Sequence, residues 1–170
     1  MTQQETNVPV RDTAATETQG KVNLQDYKVI PKHVGNWEGT VRFLDADLQL
    51  TKSYDIKQTF QDAGDKWIIT NTYLYPDGTS FSHSFDVIPI GNSEVNVEPQ
   101  DGSAFSDSKL TAVEHGDIVD FKVFNTATGL LREIETIVIQ GENKRVRTTQ
   151  FFTDNGDLKS LLVVVEHRVD

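Results

Sequence analysis

The sequence predicts an all-β fold, an antiparallel up-and-down barrel of about ten strands, preceded by a disordered N-terminal tail. Three observations carry that expectation. From Gly35 onward, short stretches rich in Val, Ile, Thr and aromatic residues recur at intervals of roughly ten residues. Gly, Pro, Asn and Asp turn signals close almost every interval. No stretch after residue 35 has helical periodicity. Short loops force neighbouring strands to run antiparallel, and a long meander loses its exposed edges by closing on itself.

Residues 1–23 are rich in Thr, Gln, Glu and Asn and contain no aromatic residue. Such a composition cannot offset its ordering entropy, so these residues are expected to form a tail ahead of one domain, 24–170. Leu24, Tyr27, Val29 and Ile30 supply the first apolar side chains, and Pro31 marks a short turn or 3₁₀ segment leading into Gly35. Strand one follows and breaks at Asp45-Ala46-Asp47. Residues 50–61 form strand two, closed by Asp62-Ala63-Gly64-Asp65, and Trp67 to Tyr75 form strand three. Pro76-Asp77-Gly78 turns the chain into strand four, Phe81 to Ile88. Strands are then expected at 94–98, 109–114, 118–124, 131–140, 145–152 and 158–169.

The chain has 170 residues and a formal net charge of −10, from 26 acidic and 16 basic side chains. An acidic surface repels phosphate backbones and anionic lipid, which weighs against nucleic-acid and membrane partners. No apolar run is long enough to span a bilayer, and the first residues lack a secretory signal pattern, so the expected location is cytoplasmic. The absence of cysteine excludes disulfides, thiolate metal sites and a cysteine nucleophile. His33, His83, His115 and His167 have no metal-ligand spacing, and there is no Gly-rich phosphate loop or Gly-x-Ser-x-Gly elbow. No metal or cofactor is therefore expected, and homo-oligomerisation stays open.

Gly35-Asn36-Trp37 opens strand one and Glu166-His167-Arg168 ends strand ten. The Gly-x-Trp opening resembles that of lipocalins and their calycin relatives. The resemblance implies that Trp37 plugs the closed end of the barrel and that Arg168 packs across its ring as a cation–π partner. Arg145 and Arg147 are the less favoured substitutes for that partner. The last two strands, Lys144-Arg145-Val146-Arg147-Thr148 and the apolar run ending in Glu166-x-Arg168, are similar to those of S-type phycobiliprotein lyases and related lipocalin-like proteins. The match covers the two ends of the barrel and not its middle strands.

A barrel of this size has room for a small, mostly apolar guest. If the apolar phase points inward, the wall comprises Tyr54, Ile56, Gln58 and Phe60, then Trp67, Ile69, Asn71, Tyr73 and Tyr75, then Phe81, His83, Phe85 and Val87. The expected ligand-binding set is Tyr54, Gln58, Phe60, Asn71, Tyr73, Phe81, His83 and Phe85. His83 sits between phenylalanines, where it can anchor a ligand, move a proton or simply pack against a neighbouring strand. Gln58 and Asn71 are amides in apolar phases and need partners. Strand nine is ambiguous between the Val146/Thr148/Gln150/Phe152 phase and its opposite. Glu133 and Glu135 share one phase, expected to be a solvated face.

The leading expectation is binding of a small hydrophobic or conjugated molecule, such as a pigment, tetrapyrrole or lipid. The alternative is a barrel enzyme, a cyclase, isomerase or chromophore lyase, with His83 and Tyr73 as the catalytic candidates. A third is a structural barrel with a filled interior. A cavity above roughly 300 Å³ bounded by Phe81, His83 and Asn71 would remove that third reading.

Overall fold

A computed structural model describes residues 22–169. Ten strands close into one antiparallel barrel in chain order: β1 (Gly35–Asp45), β2 (Leu50–Asp62), β3 (Trp67–Leu74), β4 (Ser80–Gly91), β5 (Glu94–Pro99), β6 (Ser108–His115), β7 (Ile118–Asn125), β8 (Leu131–Gln140), β9 (Lys144–Phe152) and β10 (Leu158–Val169). β10 pairs back onto β1, so no edge is left open. The expected tail lies almost wholly outside the described residues.

The closed end is built by the segment before β1. Two 3₁₀ turns, Leu24–Asp26 and Ile30–His33, lie under the barrel and bury Leu24, Tyr27, Val29 and Ile30 against Phe60, Trp67, Phe85 and Val87. Their backbone would be costly to bury unpaired. The Glu114 carboxylate of β6 meets that need, accepting the N–H groups of Lys28, Val29 and Ile30 at 2.8, 2.7 and 3.1 Å. The Tyr27 hydroxyl donates to the Glu94 carbonyl and accepts from the amides of Ile90 and Gly91.

Trp37 is fully buried and its indole N–H donates to the His33 carbonyl at 2.8 Å. Arg168 does lie over its ring, 4.4 Å from the centroid, and also donates to the carbonyls of Lys32, Val34 and Glu142. Gly35 makes this possible: its φ is +134°, and a β-carbon there would overlap the Arg168 guanidinium. Arg145 also lies 4.4 Å from the Trp37 centroid, so the expected single partner is in fact two.

The phase of β9, open from the sequence, is the one that puts the arginines inside. Arg145, Arg147 and Thr149 point inward and are buried, whereas Lys144, Thr148 and Gln150 are exposed. On β8, Glu135 is likewise buried and Glu133 lines the interior, so this face is not solvated. The reason lies in the register. Arg145 of β9 pairs with Glu166 of β10, and Arg147, whose partner on β8 is Ile137, reaches Glu135 diagonally, so opposite charges meet inside.

Gly39 faces Glu166 across the seam that closes the barrel. A β-carbon there would overlap the Val165 carbonyl and crowd the Glu166 side chain. Gly39→Ala is therefore expected to destabilise the protein by about 2–3 kcal/mol through overpacking against backbone. Urea unfolding checks this, and an unchanged midpoint would mean that β1 and β10 slide apart freely.

Candidate functional site

Alternation along the strands leaves a cavity of about 190 Å³ towards the open end. Phe43, Ile69, Phe85, Phe105, Phe121, Phe151 and Leu162 form its apolar wall. Gln58, Asn71, Tyr73, His83, Glu133, Glu135, Arg147 and Thr149 put polar groups on the same surface. The volume is below the roughly 300 Å³ that would exclude a filled interior. It exceeds the ~150 Å³ at which an apolar cavity admits a benzene ring.

On the β2–β4 side the polar groups form a chain. Gln58 Nε2 donates to Asn71 Oδ1 at 2.7 Å, and Asn71 Nδ2 lies 3.5 Å from His83 Nε2. The Tyr73 hydroxyl is 3.2 Å from the same ring nitrogen. Burial pushes the Tyr73 phenol far up, so it keeps its proton and donates to Nε2. Nδ1 then carries the imidazole proton, and it is buried with no partner among the described residues. Burial, and next the Arg147 charge, bring His83 down to about 4, so the ring is neutral. Phe81, Phe85, Phe105 and Tyr73 meet it edge-on at centroid distances of 4.9–5.5 Å.

The opposite wall is ionic. Arg147 Nε donates to Glu135 Oε1 at 2.7 Å and its Nη2 to Oε2 at 3.2 Å, a bidentate pair. Its Nη1 reaches Glu166 Oε1 at 3.4 Å, and Arg145 Nε donates to Glu166 Oε2 at 2.6 Å. Thr149 adds a hydroxyl donor to Glu135 at 3.0 Å. Burial works against charge on Arg147, but Glu135 and Glu166 outweigh it and hold the guanidinium protonated. Burial would likewise raise Glu166, yet the two arginines keep it below the usual range. Glu133 has no such partner. Burial, then the Glu135 charge, raise it to about 7.

Of the eight residues expected to bind ligand, Tyr54, Gln58, Asn71, Tyr73, His83 and Phe85 line this cavity together. Phe60 lies deeper, beside the plug. Phe81 is 39% exposed at the lip, because it lies at the start of β4, next to Ser80 and two residues before the enclosed His83. Burial, then Tyr75, raise the Tyr54 phenol to about 12. Sequence reasoning missed the role of Glu133, Glu135, Arg147 and Thr149. The available signal was charge complementarity: Glu133-x-Glu135 and Glu166 flank Arg145-x-Arg147 on the neighbouring strands. Among the described residues no group of three His, Asp or Glu side chains is arranged to hold a metal. No helix of the described residues is long and apolar enough to cross a membrane.

The chain belongs to the family described as domain of unknown function DUF3598, N-terminal, whose model matches residues 24–170. No curated protein matches it in sequence. Solved structures share the fold. A DUF3598 protein of unknown function from Nostoc punctiforme is 20% identical, with a TM-score of 0.60 over 84% of this chain and 50% of that one. The chain thus spans half the length of that relative. The S-type phycobiliprotein lyase CPES from Guillardia theta is 11% identical, with a TM-score of 0.62 over 89% of this chain and 95% of its own. Rv2717c from M. tuberculosis is 16% identical, with a TM-score of 0.57 over 82% of this chain and 94% of its own. At these identities the likeness is one of fold, a lipocalin-like barrel.

Proposed function

We propose that this DUF3598 domain is a container that binds one compact apolar or conjugated molecule inside the barrel. The observation that carries the reading is the cavity of about 190 Å³ whose apolar wall is crossed by bands of polar groups. Apolar area supplies affinity and the few polar groups fix orientation. Such a volume suits a single ring system or a short chain. A longer guest, such as a tetrapyrrole or a lipid, would seat one end here and extend past Phe43, Tyr54 and Phe151 through the open end. That a lyase for phycobiliproteins has the same barrel is in keeping with a conjugated guest.

Native mass spectrometry of protein from its own host tests this directly. The expected result is a stoichiometric small-molecule adduct that Ile69→Trp, by filling the cavity, weakens at least tenfold without lowering the melting temperature by more than a few degrees. Binding that survives the filled cavity would place the guest elsewhere.

One observation favours a second reading, an enzyme that transfers protons within the same cavity. Glu133 faces an apolar space with its carboxyl raised to about 7, where a general acid is most effective. Tyr73 and His83, held neutral, would then orient the substrate. Turnover of a copurified compound should fall above pH 7 as Glu133 ionises, and Glu133→Gln should lower it about a hundredfold or more. A rate indifferent to that substitution would leave the container reading alone.

A further inference from the structure

We infer that the barrel has a second, deeper subsite at its floor, where the Nε2–H of His33, its tautomer fixed by Arg145, holds a carbonyl oxygen of the guest. The inference rests on the container reading and adds the chemistry of the guest.

A chamber of about 50 Å³ lies between the main cavity and the 3₁₀ plug. Gln58, Ile69, Val97, Phe121 and Ile137 line both spaces, so the two share a wall. His33 and Arg145 line the chamber and are 3% and 1% exposed. Arg145 Nη1 lies 3.4 Å from His33 Nδ1. A guanidinium can only donate, so Nδ1 accepts and the imidazole proton sits on Nε2. The low basicity of His33, brought down to about 3 by burial and then by the Arg145 charge, agrees with a neutral ring. Arg145 spends Nε on Glu166 and Nη1 on His33. Neither Arg145 Nη2 nor His33 Nε2 finds an acceptor among the described residues.

A buried donor left without an acceptor costs about 1–3 kcal/mol, and His33 Nε2 is such a donor on a small, mostly apolar chamber. It specifies an acceptor. The charges nearby are already matched, Arg145 with Glu166 and Arg147 with Glu135, so an added anion would lack a counter-ion. A water molecule could accept the bond but would turn its own hydrogens towards Ile30, Phe60, Val87 and Val95, with Gln58 as the one amide on that wall. A carbonyl oxygen has two lone pairs and no hydrogen, and its carbon continues into the apolar body of the guest above. Aldehydes, ketones and lactams of conjugated ring systems have this form.

The test compares acetophenone with its isostere ethylbenzene and with benzoate, on the wild-type protein and on His33→Asn. Asparagine can place its Oδ1 where Nδ1 accepts from Arg145 while withdrawing the Nε2 donor. Acetophenone should bind about tenfold more tightly than ethylbenzene, an advantage that His33→Asn removes. In the wild-type protein alone, the bound carbonyl stretch should fall below its position in hydrocarbon solvent. The His33 Nε2–H proton resonance should move downfield with acetophenone and not with ethylbenzene. These two spectra keep the test sound even if the variant folds poorly. Equal binding of acetophenone and ethylbenzene, with an unshifted carbonyl band, would overturn the carbonyl subsite and leave the container intact. Benzoate binding most tightly would overturn the neutral acceptor in favour of an anion. Failure of all three to bind would sink the container reading and this one with it.

Discussion

Glu166→Gln is expected to lower the unfolding free energy by about 3–5 kcal/mol, although it changes neither shape nor volume. Glu166 is fully buried between two guanidinium groups, 2.6 Å from Arg145 Nε and 3.4 Å from Arg147 Nη1. Without its charge, Arg145 and Arg147 share Glu135 alone, and Arg145 keeps only the Trp37 face and His33 as neighbours of favourable polarity. A protein of this size should melt on the order of 10 °C lower. The contrast is Glu38→Gln, which breaks an ion pair with Lys57 of similar length, 2.8 Å, where both side chains are about half exposed. Solvent screens that pair, and its loss should cost about 0–1 kcal/mol. Thermal melts of the two variants side by side decide the matter. Equal shifts would mean that the interior network is as dispensable as the surface pair.

Stability should fall steeply as the solution is acidified below neutrality. His33 and His83 are buried as neutral rings, with values brought from 6.5 down to about 3 and about 4. Below pH 6.5 the unfolded chain takes up two protons that the folded chain refuses. Their contribution is therefore present above 6.5 and lost as pH falls towards the folded values. Glu133 acts in the opposite sense. Its carboxyl is raised from 4.5 to about 7, so the folded chain keeps a proton that the unfolded chain releases, and its contribution is lost as pH rises through 7. Between pH 6.5 and 4.5 the two histidines outweigh the one carboxyl, leaving a net loss of about 1.4 kcal/mol per pH unit on acidification. Glu133→Gln removes the opposing contribution and should roughly double that slope, while raising stability above pH 7 by up to about 3 kcal/mol. Urea midpoints of both proteins at pH 5, 6 and 8 measure it. A flat profile for the wild type would show that the rings are not buried neutral.

The architecture was legible because barrels are written in turns. Pro76-Asp77-Gly78, Gly116-Asp117 and Asn155-Gly156 mark reversals that any tertiary context respects, and ten such strands can close. Trp37 and Arg168 were legible through the likeness of Gly35-x-Trp37 and the end of the last strand to lipocalins, not through any local rule. The wall was legible only where apolar side chains point inward, as on β2 to β4. On β9 the rule inverts: Arg145 and Arg147 are inside because acids on both flanking strands meet them, which is a property of pairing and not of the strand itself. Phe81 misled for the opposite reason, since an apolar residue at the lip has no interior to enter. His33 could not be placed at all from its neighbours, because tertiary closure alone brings residue 33 beside residue 145.

The floor of the barrel is tied to the wall by bonds between residues far apart in the chain, from Val29 and Ile30 to Glu114 and from Val34 to Arg168. Those bonds need β6 and β10 in place, so the floor cannot be completed before both strands are. The bottom of the barrel therefore depends on the strand that closes it as much as the wall does.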